Sequence, residues 1–340
     1  MKDQPMKKIR SLAIASFLVL SVTCSLAATI SASFTNDPAA DGWQIFGDTN
    51  LFHWNSAHQN LAVTWDSSQS NSYFFHPLGT IVTRHDDFTI AFDLQINDIV
   101  SGNEPGKISP MELGFGFLNR AAATAPGFER AAASNLAELD YFPLGYYLGD
   151  DGKTNTIYPT LVPTFISSSY DYAPGSYEPW IATFPTGLLV HISLTYTAGN
   201  QTLVAAFQTN GVDCLEIPPV VLTDTFPSNS DFAGDMFSIT SYGSAGDIYD
   251  SVLAHGTVAN IVVTVPPPPI QNLSGSFSNG LWQVQFTSQT NWLYTLQSTA
   301  DFQSWTDVSS TTSGSGTNLF LQATNAPTDK AFYRVRADRP

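Results

Sequence analysis

From Ala28 to about Val265 the chain is built of short stretches in which apolar and polar residues alternate. Gly, Pro, Asn, Asp and Ser cut these stretches at intervals, and almost no helical periodicity appears. Period-two patterning sends successive side chains to opposite faces of a strand, so each stretch can bury one face and wet the other. The pattern predicts strands at Leu61–Trp65, Ser72–Phe75, Phe88–Ile96, Met111–Leu118, Leu136–Phe142, Leu188–Thr197, Thr202–Thr209, Phe237–Ser241 and Val258–Val265. Arg120–Ala133, with its alanines, is the exception and reads as a short helix or an elaborated loop. More than two hundred residues of strands without an internal repeat make one large antiparallel β-sandwich the expected architecture for 28–265.

The pattern then breaks at Val265-Pro266-Pro267-Pro268-Pro269. Four prolines remove four backbone donors and favour extended polyproline II, so 266–270 reads as a semi-rigid linker. Beyond it, 271–340 carries further strands at Leu281–Thr287, Trp292–Ser298, Leu319–Thr324 and Phe332–Ala337. Alternation puts Trp282, Val284 and Phe286 on one face, as in a small sandwich of immunoglobulin or fibronectin III type. Its closing Phe332-Tyr333-Arg334-Val335 is similar to the end of a short C-terminal module that recurs in secreted bacterial proteins. That resemblance implies a module and no activity.

Ahead of the strands, Met1–Arg10 holds Lys2, Lys7, Lys8 and Arg10, an apolar run spans Leu12–Val22, and Ser25-Leu26-Ala27 offers small residues for cleavage. Residues 1–27 are therefore expected to be a secretory signal, and the apolar run is short for a retained membrane span. Losing them takes the net charge from −16 to −19, because they hold four basic residues and one acidic. Such a surface repels nucleic acid and anionic membranes. Cys214 alone remains in the mature part, so no intramolecular disulfide can form and stability must come from burial.

Site-like chemistry gathers in Asn135–Thr160. Glu138 and Asp140 stand two apart on an expected strand and so share a face. After Pro143 comes a Gly- and Tyr-rich loop ending in Gly149-Asp150-Asp151-Gly152, which offers more carboxylate and carbonyl oxygens. Oxygen donors in that number suit a hard cation such as Ca²⁺. Tyr146, Tyr147, Tyr170, Tyr172 and Trp180 lie in or after this loop, and sugar rings stack their C–H faces on such side chains. The plain alternatives stay open: a solvated strand face for the carboxylates, and core packing for Trp180 and Trp54. The histidines do not fall at metal-ligand spacings, and His191, alternating within a strand, reads as structural.

Four pieces in order resemble the concanavalin A-like lectin and glucanase superfamily, and most closely its L-type (legume-type) lectins. They are Phe88-Thr89-Ile90-Ala91-Phe92, Met111-Glu112-Leu113-Gly114-Phe115-Gly116-Phe117, Ala137-Glu138-Leu139-Asp140-Tyr141-Phe142-Pro143, and Val190-His191-Ile192-Ser193-Leu194-Thr195-Tyr196 with Leu203. The resemblance implies a jelly-roll sandwich with a metal site beside a sugar pocket. Carried over by position, Glu138 and Asp140 match the strand ligands, Phe142 a backbone-carbonyl ligand and Asp150 the loop carboxylate. Leu144 stands where the family has a calcium-binding Asn, and Thr160 where it has a metal-binding His. Without the imidazole the transition-metal position loses its preferred ligand, so a single Ca²⁺ is the expected cation.

Hydrolases of the same superfamily place three acids at alternate positions of one strand. Here Glu138 and Asp140 would be nucleophile and helper, but the third position is Phe142. No Ser-His-Asp elbow, HExxH helix, P-loop or dinucleotide fingerprint appears. The expected function is therefore non-catalytic binding of a glycan by a secreted or cell-surface protein. A glycoside hydrolase or polysaccharide lyase on the same scaffold, and a structural surface protein without a small ligand, remain the alternatives. Oligomeric state is left open.

Overall fold

A computed structural model describes residues 27–101, 113–128, 137–143, 157–163, 184–216, 219–221, 232–243, 252–324 and 331–339. The chain divides into two compact units, Leu26–Gln271 and Asn272–Pro340. Among the described residues no helix is long and apolar enough to cross a membrane.

The larger unit is all-β and antiparallel. Its strands are β1 (Ala28–Ala32), β2 (Gln44–Phe46), β3 (Phe52–Asn55), β4 (Asn60–Asp66), β5 (Ser72–Thr83), β6 (Phe88–Ser101), β7 (Leu113–Leu118), β8 (Ala137–Pro143), β9 (Ile157–Pro163), β10 (Val190–Thr197), β11 (Thr202–Thr209), β12 (Val212–Leu215), β13 (Val220–Val221), β14 (Ala233–Ser241) and β15 (Val252–Val265). They form a broad sheet of nine strands, β12-β11-β10-β6-β15-β4-β3 with β1 on β15 and β13 on β11, and a narrow sheet of six, β2-β5-β14-β7-β8-β9. Neighbours distant in sequence, such as β6 with β15 and β14 with both β5 and β7, give the crossed connections of a jelly roll.

The two sheets close on one core. Phe88, Ile90, Phe92, Leu94 and Ile96 alternate inward from β6, and Val190, Ile192, Leu194 and Tyr196 do so from β10. Leu113, Phe115 and Phe117 of β7 and Phe237 and Ile239 of β14 meet them from the narrow sheet. Aromatic rings bridge the layers: Phe92 stacks on Phe115 at 4.8 Å between centroids, and Phe88 meets Phe117 edge-on at 4.9 Å. These side chains are essentially inaccessible to water, and burying one of their size is worth roughly 1.5–3 kcal/mol. Between His255 and Gly256 the β15–β6 register slips by one residue. A Cβ on Gly256 would lie 2.4 Å from the Gln95 carbonyl oxygen and 3.0 Å from the Trp65 ring, so the bulge packs backbone where a side chain has no room.

The strands expected from alternation are present, with two instructive differences. β5 continues to Thr83 through Pro77 and Gly79, both of which read as breaks in the sequence. Pro77 lies across from Met236, beside the slip in register between Gly234 and Met236, where the ladder is already interrupted. The alanine-rich stretch is helical only over Arg120–Ala123 (α1), capped by the Asn119 side chain accepting from the Ala122 N–H at 3.0 Å.

The smaller unit also folds as two antiparallel sheets. Its strands are β16 (Ile270–Ser278), β17 (Leu281–Ser288), β18 (Leu293–Thr299), β19 (Thr306–Asp307), β20 (Thr312–Ser313), β21 (Asn318–Ala323) and β22 (Phe332–Asp338). β16-β17-β21 make one sheet, and β18 with β19, β20 and β22 the other. Asn279 and Gly280 join β16 to β17 with φ of 51° and 73°, the left-handed pair that a two-residue hairpin turn demands. Val284, Phe286, Tyr294, Leu296 and Leu321 are buried between the sheets, and Trp282 stacks on Tyr333 at 4.9 Å.

Candidate functional site

The narrow sheet has a second face, turned away from the core. On β7 the core takes Leu113, Phe115 and Phe117, which leaves Gly114, Gly116 and Leu118 for the other side. Directly paired residues in antiparallel strands share a face. Register then lays out two rungs across the sheet: Phe75–Ser238–Gly116–Glu138–Val162 and Tyr73–Thr240–Gly114–Asp140–Thr160. Glu138 and Asp140 thus hold outer-face positions, as period two implies, and each stands beside a glycine.

The hydroxyls of Ser238 and Thr240 lie 2.7 Å apart on the next strand, both buried. Each carboxylate position is therefore separated from a buried hydroxyl by a position with no side chain at all. The residue types at these rung positions are carboxylate and hydroxyl, with Thr160 directly across from Asp140. That donor set suits a hard cation and offers no imidazole.

Gly114, Gly116, Ser238 and Thr240 are themselves buried, and the other end of the same face is filled by described residues. Tyr73, Phe75, Leu118, Met236 and Tyr242 form a second buried cluster, closed by Ala123 and by Phe128. The segment from Asn119 to Phe128 comes back over the sheet, and the Tyr73 hydroxyl donates to the Ala123 carbonyl at 3.1 Å. The Arg120 guanidinium lies over the Phe75 ring at 5.2 Å, and the Arg120 N–H donates to Asp235.

Asn71, in the turn from β4 to β5, ties three segments together. Its Nδ2 donates to the Phe128 carbonyl at 3.2 Å, and its Oδ1 accepts from the Gly243 N–H at 2.7 Å. Where these segments meet, a cavity of about 440 Å³ opens, lined by Phe46, Ser67, Ser68, Gln69, Ser70, Asn71, Ala123, Ala125, Gly127, Phe128 and Gly243. From Tyr73, at the cavity end, to Asp140 is three strand spacings, roughly 14 Å.

Several expected site residues are not settled by this geometry. Asp150, Tyr146, Tyr147, Tyr170, Tyr172 and Trp180 lie outside the described residues. Glu138, Asp140 and Phe142 are described as strand positions. Among the described residues no group of three or more His, Cys, Asp or Glu is arranged to hold a metal ion.

Trp54, for which the sequence leaves core packing an open alternative, is 38% exposed on the edge strand β3, where its indole N–H donates to the Phe34 carbonyl at 2.9 Å. His191 holds Asp93 across the β10–β6 pair at 2.7 Å, and Asp93 also accepts from Asn260 at 2.6 Å, so this histidine has a structural partner. The cavity went unread in the sequence. Its turn, Asp66-Ser67-Ser68-Gln69-Ser70-Asn71, reads only as a polar break between strands.

No protein-family model matches the chain, and no curated protein does. Solved structures do resemble it. Lectin II from Ulex europaeus is 12% identical with a TM-score of 0.41, covering 71% of this chain and 99% of its own. Peanut lectin with a 9mer peptide is 13% identical at 0.38, covering 69% and 98%. Winged bean acidic lectin complexed with methyl-α-D-galactose is 11% identical at 0.39, covering 71% and 100%.

Proposed function

We propose that this chain binds a glycan, without catalysis, on the outer face of the narrow sheet, and that a Ca²⁺ ion held near Glu138 and Asp140 orders that end of the face. The observation that carries the reading is the register of β8. Glu138 and Asp140 occupy outer-face positions beside Gly116 and Gly114, with the hydroxyls of Ser238 and Thr240 one strand further on. Carboxylate and hydroxyl residues at neighbouring rung positions are the residue types that match the hydroxyls of a sugar. Asp150 and the Phe142 carbonyl are the further oxygen ligands we assign to the ion, and Tyr146, Tyr147, Tyr170, Tyr172 and Trp180 the rings we assign to the glycan.

Binding rather than hydrolysis follows from the third alternate position of β8, which is Phe142 where retaining chemistry on one strand would need an acid. The acidic surface excludes nucleic acid and favours an uncharged glycan. Export by residues 1–27 would place the protein outside the cell or on its surface. A purely structural role has one observation in its favour: the outer face at Tyr73, Phe75 and Met236 is already covered by its own chain.

The test is calcium calorimetry and a glycan array on the mature protein, with and without EDTA, comparing wild type with Asp140→Ala. Saturable calcium binding lost in the variant, with array signals that weaken in EDTA, is expected. A silent array in both conditions refutes glycan binding. Released reducing ends from any bound polysaccharide refute the non-catalytic assignment.

A further inference from the structure

The cavity beside the β4–β5 turn differs from the carboxylate end of the face in one respect that bears on what it can hold. Among the described residues its lining is Phe46, five consecutive Ser, Gln and Asn residues, and small residues with Phe128, none of them ionisable. The chain has 29 acidic residues against 13 basic, so a described lining without charge bears on the occupant. Among these lining residues an anion finds no counter-charge.

Aromatic and amide groups are set for a different ligand. Phe46 stacks one face on Tyr73, with centroids 5.6 Å apart and planes 17° from parallel, yet remains 38% exposed along the cavity. Ring against ring fixes its orientation and leaves the other face for an apolar surface. Gln69 donates its Nε2 to the Ser68 hydroxyl at 3.1 Å and to the Asp66 carboxylate at 3.5 Å, and its Oε1 has no partner among the described residues. Ser70 uses its carbonyl to accept from the Ser72 hydroxyl, and its own hydroxyl has no described partner. Asn71, fixed from both ends, holds this wall in place. A cavity of about 440 Å³ lies within the range that small ligands occupy.

We propose that this cavity is a metal-independent subsite for one neutral pyranose unit, whose C–H face lies on Phe46 and whose hydroxyls meet Gln69, Ser70 and Asn71. This rests on the glycan-binding reading of the same sheet face and adds to it the class of sugar and a contact that needs no cation. An uncharged ligand with one apolar face and a rim of hydroxyls is what the lining matches. A carboxylated sugar would find no charge partner among the described lining residues.

The experiment is saturation-transfer NMR on the mature full chain in EDTA. The probes are the methyl pyranosides of glucose, galactose, mannose and fucose, with methyl glucuronide as the charged control. At least one neutral probe is expected to bind and the glucuronide to fail. Phe46→Ala and Gln69→Ala should each weaken binding about tenfold, and Ser70→Trp should abolish it by filling the space. Phe46, Gln69 and Ser70 are all exposed, and a thermal melt of each variant identifies any that unfold.

If no neutral probe binds while the glycan array stays positive and sensitive to Asp140→Ala, the subsite is refuted and the broader reading stands. Binding that survives both Phe46→Ala and Gln69→Ala in folded protein also overturns it. A silent array together with silent probes refutes both.

Discussion

Replacing Asn71 with alanine probes the joint on which the outer face depends. The side chain supplies two hydrogen bonds, to the Phe128 carbonyl at 3.2 Å and from the Gly243 N–H at 2.7 Å, and both partners belong to segments far away in sequence. Each bond is worth about 1 kcal/mol net, and leaving a partly buried donor and acceptor unpaired adds a further penalty, for about 3 kcal/mol in total. For a unit of this size that corresponds to a fall in Tm of roughly 6–12 °C. Near-UV circular dichroism of the full chain follows the transition. Amide exchange at Gly243 gives a local readout, and protection there should drop in the variant even below the melt. An Asn71→Ala protein that melts within 1 °C of wild type with Gly243 still protected would show that the three segments are held by other contacts, and the case for a preformed cavity would fall with it.

Two further outcomes follow from the core. Burial drives the Tyr196 phenol up from 10.0 to about 12, against the smaller opposing pull of Arg84. The phenol stays protonated in the fold at a pH where the unfolded chain has already lost its proton. Its contribution is therefore complete below pH 10 and lost as pH rises toward 12, by at most about 3 kcal/mol. Urea melts of wild type and Tyr196→Phe between pH 8 and 12 should converge as pH rises, and parallel curves would contradict the assignment. Gly256→Ala forces a Cβ to 2.4 Å from the Gln95 carbonyl and against Trp65, which should cost about 1–3 kcal/mol and blue-shift or broaden the Trp fluorescence. An unchanged midpoint would mean that the bulge relaxes freely.

Much of this architecture can be read along the chain because it is written in the local period. Phe88, Ile90, Phe92, Leu94 and Ile96 face the core as their spacing implies, and Glu138 and Asp140 share a face for the same reason. What the period cannot carry is the lateral neighbour. That Gly114 lies between Thr240 and Asp140 depends on which strands pair, and both partners come later in the chain, Asp140 26 residues on and Thr240 126 residues on. β5 was read too short because Pro77 and Gly79 are breaks in isolation, and only the slip in register on β14 makes room for them. For Trp54 the sequence leaves core packing an open alternative, and its place on the edge strand β3, 38% exposed, is a matter of pairing that the local pattern does not carry.

The place of β15 in the broad sheet also sets a clock. β15 pairs with β6, β4 and β1 together, and residues 28–32 at one end of the unit find their partners only at 261–265. On a ribosome adding 5–20 residues per second, β1 therefore waits roughly 12–47 s for its neighbour to be made. The centre of the sheet stays open until then, with β6 and β4 offering bare edges to any other nascent strand. Long-range closure of this kind is slow even once the chain is complete. The protein is thus one whose yield is decided late in synthesis, and a chain truncated before Val252 would lack the strand that joins the two halves of its sheet.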